Sequence, residues 1–167
     1  FKNVTSFVGA QFSEDTDFTN VRFSGLSDFT RARFFPEYNN LRMGNTYFGD
    51  RLIFYKVFAR KIYLGNSRFN GEVTFDKLQA EYVDLSFCYF KKALSFCQAS
   101  VHSAILCKNS CFNESLCFHS SVLGVYSDFS FVDGIVYEPL SPLEICQPKI
   151  NDDVKLRSIK YSSFASV

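Results

Sequence analysis

Six cysteines and two histidines are the side chains best suited to chemistry in this sequence, and part of that set is spaced like a zinc site. Cys107-x3-Cys111-x5-Cys117-x-His119 gathers three thiols and an imidazole in one short stretch, and thiolates with imidazole are common tetrahedral ligands of zinc. The same stretch offers nucleophile–base pairs, Cys97 or Cys107 with His102 or His119. Such a pair needs a third group to orient the base, and no carboxylate stands at a fixed offset from either histidine. The sequons Asn3-Val4-Thr5 and Asn113-Glu114-Ser115 are of a kind that recurs by chance. Whether the thiols and imidazoles meet depends on the backbone that carries them.

The chain has 21 Phe and 9 Tyr but no Trp, so one ring type is used repeatedly at equivalent places. Phe7, Phe12, Phe18, Phe23, Phe29 and Phe34 follow one another at alternating steps of five and six, far from the 3.6-residue period of a helix. Two residues before each stands a compact side chain: Thr5, Ala10, Thr16, Val21, Ser27 and Ala32. Residues i−2 and i of an extended backbone point to the same side. Each pair therefore faces inward, and the residues between pairs turn a corner outside.

From Phe54 onward the pattern becomes a 21-residue period of three steps of five and one of six. Leu64, Leu85 and Leu106 form one expected column. Phe69 and Phe90 form a second, continued by Cys111 or Phe112; Phe75, Phe96 and Cys117 a third; Ala80, Val101 and Val122 a fourth. Four inward columns predict an all-β, four-sided coil. Its core is expected to hold Phe7, Phe12, Phe18, Phe23, Phe29, Phe34, Phe54, Leu64, Phe69, Phe75, Leu85, Phe90, Phe96 and Leu106. Antiparallel strands with coincidental Phe spacing would slip out of this register.

Segments such as Thr16-Asp17-Phe18-Thr19-Asn20 and Ser127-Asp128-Phe129-Ser130 resemble the Phe-centred branch of the pentapeptide-repeat family, over residues 1–34 and 48–133. The resemblance implies a right-handed quadrilateral parallel β-helix, a pentapeptide-repeat solenoid with a solid interior. Coils about 4.8 Å apart would make about six turns into a rod on the order of 30 Å long. Within the family, some members mimic double-stranded DNA and inhibit topoisomerases, and others are targeting domains of bacterial secreted effectors.

The 21-residue register also answers the zinc question. It points Cys117 inward beneath Phe96 and Cys107 outward on another face, and ligands on different faces of a rod cannot share one ion. No metal site, no cofactor and no active site are therefore expected, and the chain is read as not an enzyme. The cysteines lie in the second half without a paired framework, which favours reduced thiols and a cytoplasmic setting, or a host cytosol for a delivered protein. No run of 18 apolar residues is present to span a membrane.

The pattern breaks twice. Residues 35–47, with Pro36 and Gly44, are expected to form an irregular loop within a 1–138 repeat domain. Two prolines in Glu138-Pro139-Leu140-Ser141-Pro142 end the solenoid, leaving 139–167 as a cap or linker. The sequence does not begin with Met, and it is expected to be part of a longer protein.

A net charge of +1 makes the molecule neither a polyanion nor a polycation, so direct nucleic-acid binding is disfavoured. The outward column Glu72, Ala93, Glu114 is too weakly acidic for a DNA mimic, which stays as the alternative function. The leading expectation is a non-enzymatic protein-interaction or structural scaffold, such as an effector targeting domain, with a protein partner or a second copy and no small-molecule substrate. Its expected interface joins the basic group Arg51, Lys56, Arg60, Lys61 and Arg68, with Tyr55, to the outward aromatics Phe87 and Tyr89. Arg68 is expected one coil below Tyr89, where a guanidinium can stack on the ring.

Overall fold

The structure, a computed structural model, describes residues 1–35, 39–118, 120–124, 126–128 and 149–150. Along one side of the molecule Thr5, Ser27, Leu52, Val73, Leu94 and Leu116 pair in parallel, each above the last, giving five turns of 22, 25, 21, 21 and 22 residues. The second side stacks Gln11, Arg33, Phe58, Gln79, Ser100 and Val122. The third stacks Thr16, Leu41, Ile62, Val83 and Ile105, and the fourth Arg22, Tyr47, Arg68, Tyr89 and Cys111. All pairings are parallel and no helix occurs among the described residues, so the fold is a four-sided parallel β-helix. Lys149–Ile150 adds one further strand beside Val122–Leu123.

Most strands hold two residues because each side needs room for only one inward pair. The corners between the first and second sides, and between the third and fourth, are tight turns with a left-handed third residue. Gly9, Arg31, Lys56, Lys77, Gln98 and Ser120 occupy that place at one corner, and Asn20, Asn45, Asn66, Phe87 and Asn109 at the other. Bonds such as Ala10 N–H to Phe7 C=O (3.0 Å) and Leu78 N–H to Phe75 C=O (3.1 Å) close these turns in the type II manner.

Inside, two columns are continuous stacks of rings. Phe29, Phe54, Phe75, Phe96 and Phe118 lie with centroids 4.8–5.2 Å apart. Phe23, Phe48, Phe69, Phe90 and Phe112 lie 4.6–5.3 Å apart. The coil repeat sets this spacing, which matches the offset-stacked geometry that aromatic pairs favour. Phe7, Phe12 and Phe18, at the N-terminal end of the stack, are partly buried.

Ser67 and Ser110, small polar residues at i−2, bridge coils with their buried hydroxyls, whereas the buried Ser27 Oγ makes no hydrogen bond. Ser67 Oγ accepts from Thr46 N–H (3.0 Å) and donates to Met43 C=O (3.0 Å), and Ser110 Oγ does the same for Cys88 N–H (3.1 Å) and Leu85 C=O (2.6 Å). A buried hydroxyl is tolerated when its hydrogen bonds are made.

All departures from the 21-residue turn fall at the corner between the second and third sides. The inward residues that flank it are Phe12 and Phe18, then Phe34 and Met43, then Val101 and Cys107, wider than the five-residue steps Ala59–Leu64 and Ala80–Leu85. In the second turn, Leu41 and Met43 are an inward pair and Thr46 precedes inward Phe48. The expected irregular loop over 35–47 is therefore narrower, since the coil is regular again from Asn40. Asp15 anchors that return, accepting from Asn40 N–H (2.7 Å) and pairing with Arg42 (2.9 Å).

In the fifth turn the register shifts just after Val101, where Tyr82 pairs with Ala104. The bulge takes up one extra residue and corrects every assignment beyond it. Asp84 pairs with Leu106, so Leu106 faces outward, and Cys107, 0% exposed, takes the expected place of Leu106 in the core. Likewise Phe118 replaces Cys117, Phe112 is chosen over Cys111, and Leu123 replaces Val122. The assumed orientations of Cys107 and Cys117 are thus exchanged. The expected 138/139 boundary, Cys146 and His119 lie outside the described residues.

Candidate interaction surface

The fourth side carries a column of alternating Arg and Tyr. The Arg22 guanidinium lies 4.1 Å from the Tyr47 ring centroid, and that of Arg68 lies 4.9 Å from the Tyr89 ring. Asn70 Nδ2 donates to the Tyr47 hydroxyl (2.8 Å) and Asn113 Nδ2 to the Tyr89 hydroxyl (2.7 Å). Stacking immobilises the rings and guanidiniums in advance of any contact, which lowers the entropy lost on binding.

Phe87 stands at the corner beside this column. It is 58% exposed and has φ +58°, where the other turns of the same corner use Asn20, Asn45, Asn66 and Asn109. A left-handed conformation costs a side chain with Cβ about 1–2 kcal/mol, and Asn offsets this better than Phe. Phe87 thus gains little burial in a conformation that disfavours it.

A family model described as pentapeptide repeats (9 copies) matches residues 1–39, the stretch whose Phe7, Phe12, Phe18, Phe23, Phe29 and Phe34 build the first turns. Over these residues the chain is similar to the pentapeptide-repeat family. No curated protein and no solved structure matches the chain.

The winding of the solenoid scatters the expected basic group. Arg51 sits at the corner between the fourth and first sides, Lys56 at the next, Arg60 and Lys61 at the third, and Arg68 on the fourth side. Residues spread around one turn cannot form one patch. Arg60 is also occupied by Glu81 (2.9 Å). Tyr55 lies between Lys56 (5.3 Å) and Lys77 (5.6 Å), and hydrogen bonding to Lys77 with both positive charges lowers its phenol pKa. On the fourth side Arg68, Tyr89 and Phe87 come together, and at the corner between the first and second sides Tyr55 and Lys56 do.

Arg22 and Tyr47 were missed by sequence reasoning. The signal was available in Arg22-Phe23, Tyr47-Phe48, Arg68-Phe69 and Tyr89-Phe90, each with its aromatic or basic residue just before an inward Phe. A second surface feature, a groove of about 630 Å³, lies on the second side against Arg33, Phe35, Lys56, Phe58 and Lys77.

Among the described residues, several acidic groups are ion-paired. Asp15 pairs with Arg42 (2.9 Å), Lys92 with Glu114 (2.6 Å) and Lys108 with Asp128 (3.2 Å). The register shift also places Ser115, not Glu114, above Ala93. Among the described residues no group of three His, Cys, Asp or Glu could hold a metal ion, and no helix is long and apolar enough to cross a membrane.

Proposed function

We propose that this protein is a non-enzymatic interaction scaffold that binds a protein partner through its fourth side, with Phe87, Tyr89 and Arg68 at the centre of contact. The observation that carries this reading is Phe87, exposed and left-handed at a corner that otherwise takes Asn. Strain kept at a surface position, with no gain to the core, is a reason to look for function there. Aromatic and Arg side chains are enriched at the centres of interfaces. A targeting domain of a secreted effector is one form such a role takes. DNA mimicry is disfavoured, because it needs acidic columns that the ion pairs and mixed charges do not supply.

The test compares three proteins: the parent, Phe87→Asn with Tyr89→Ser, and Arg31→Ser with Lys77→Ser at the diagonal corner. Each is used for affinity capture from the source cells, with captured proteins identified by mass spectrometry and self-association followed by sedimentation. A specific protein or a second copy retained by the parent and the diagonal control, but lost with the Phe87/Tyr89 variant, supports the reading. Equal retention by all three overturns it.

A further inference from the structure

The register shift that turns Cys117 outward places it against another thiol. Cys117 stands above Ser95 on the first side, and its Sγ lies 3.6 Å from that of Cys97 in the turn below. Both residues are partly exposed, so the pair is reachable from solvent. Neighbouring groups hold it in place. Asp76 accepts hydrogen bonds from Cys97 N–H (2.8 Å) and Ser95 Oγ, and Ser95 Oγ lies 3.2 Å from Cys97 Sγ. Cys117 C=O accepts from Phe96 N–H (2.8 Å) and Cys97 C=O from Lys77 N–H (2.9 Å), so both cysteines belong to the inter-coil ladder.

We propose that Cys97 and Cys117 form a modification site, a dithiol that a peroxide converts to a disulfide pinning the fifth turn to the sixth. One thiolate attacks the peroxide, whose O–O bond breaks, leaving a sulfenic acid and, after protonation, water. The second sulfur then attacks the sulfenic sulfur, the S–S bond forms and a second water leaves. Two thiols and one hydrogen peroxide thus give one disulfide and two waters; the sulfurs are oxidised and the peroxide oxygens reduced. The sulfurs must close from 3.6 Å to about 2.05 Å. The bond closes a loop between adjacent coils, which limits the unfolded chain and stabilises the C-terminal turns.

The other described cysteines are placed differently. Cys88 and Cys107 point into the core and Cys111 lies on the fourth side, so one pair is singled out by position.

The experiment treats the reduced full chain with hydrogen peroxide under native conditions, blocks remaining thiols, and maps the linkage by mass spectrometry. The expected result is a loss of about 2 Da, a peptide joining Cys97 to Cys117, and a melting temperature higher by about 5–10 °C. Cys97→Ser and Cys117→Ser should each abolish the cross-link and the shift, while Cys111→Ser keeps both. Cys97→Ala serves if the serine variant does not fold. A disulfide mapped to another pair, or a parent still reduced when Cys111 is oxidised, overturns the proposal.

Discussion

The ring of Phe75 stacks on that of Phe96 with centroids 4.8 Å apart and planes 14° from parallel. Phe54 lies on its other face at 5.1 Å, so Phe75 is held on both sides within a stack that crosses five turns. Removing it leaves a cavity that the neighbouring coils cannot close, because backbone hydrogen bonds fix their spacing. Phe75→Ala is expected to cost about 3–5 kcal/mol, read from urea denaturation. A loss below about 1 kcal/mol would contradict a solid interior.

Gly71 tests how closely the coils approach. A Cβ built there would lie 2.4 Å from the Asp50 carbonyl carbon, a backbone atom that cannot swing aside. Gly71→Ala should therefore destabilise by about 1–3 kcal/mol. Gly65 is the control, since its Cβ would meet nothing nearer than 3.4 Å. Gly65→Ala should be neutral or stabilising by about 0.5 kcal/mol. Equal effects of the two substitutions would show that inter-coil contact is not the cause.

The inward columns were legible in the sequence because side chains alternate along a strand and the corners have nearly fixed length. What was not legible is the corner where length varies. The bulge after Val101 carries no Pro or Gly, and both Leu106 and Cys107 suit a core position. Only the distant Phe112 and Phe118, each twenty-two residues beyond the Phe it stacks on, reveal the slip. The second coil was hidden in the same way, because Leu41 and Met43 stand where the first turn has Thr16 and Phe18. The interface was harder to read. A cluster of basic residues close in sequence is dispersed by winding, whereas Arg22, Tyr47, Arg68 and Tyr89, far apart in sequence, come together.

Buried thiols give the molecule a defined weakness in alkali. Burial pushes the Cys88 thiol up to about 12 and the Cys107 thiol well above its ordinary value, and burial first, then Asp84, raises Tyr82 to about 12. The folded state keeps these protons while the unfolded chain loses its thiol protons from about pH 8.5. Stability is therefore full below that value and falls as pH rises toward the folded pKa values. Cys88→Ser should fold, since Ser67 and Ser110 already occupy the same column. It should make the alkaline decline less steep by up to about 1.4 kcal/mol per pH unit. Urea midpoints of parent and variant at several pH values above neutrality check this. Parallel declines would mean that Cys88 does not titrate with unfolding.

Phe87 allows fold and function to be separated. Its corner uses Asn in the turns above and below, Asn66 and Asn109, with φ +61° and +52°. Asn suits this conformation better than Phe, whose exposed ring contributes little burial in return. Phe87→Asn is therefore expected to stabilise by about 0.5–1 kcal/mol, raising the melting temperature by about 1–4 °C. The reciprocal Asn66→Phe should lose a similar amount, which shows that the effect belongs to the corner. A gain in stability together with a loss of partner binding would mark Phe87 as a residue kept for contact. Should Phe87→Asn lower the melting temperature, the ring stabilises the fold, and the argument that draws the interface to this corner fails.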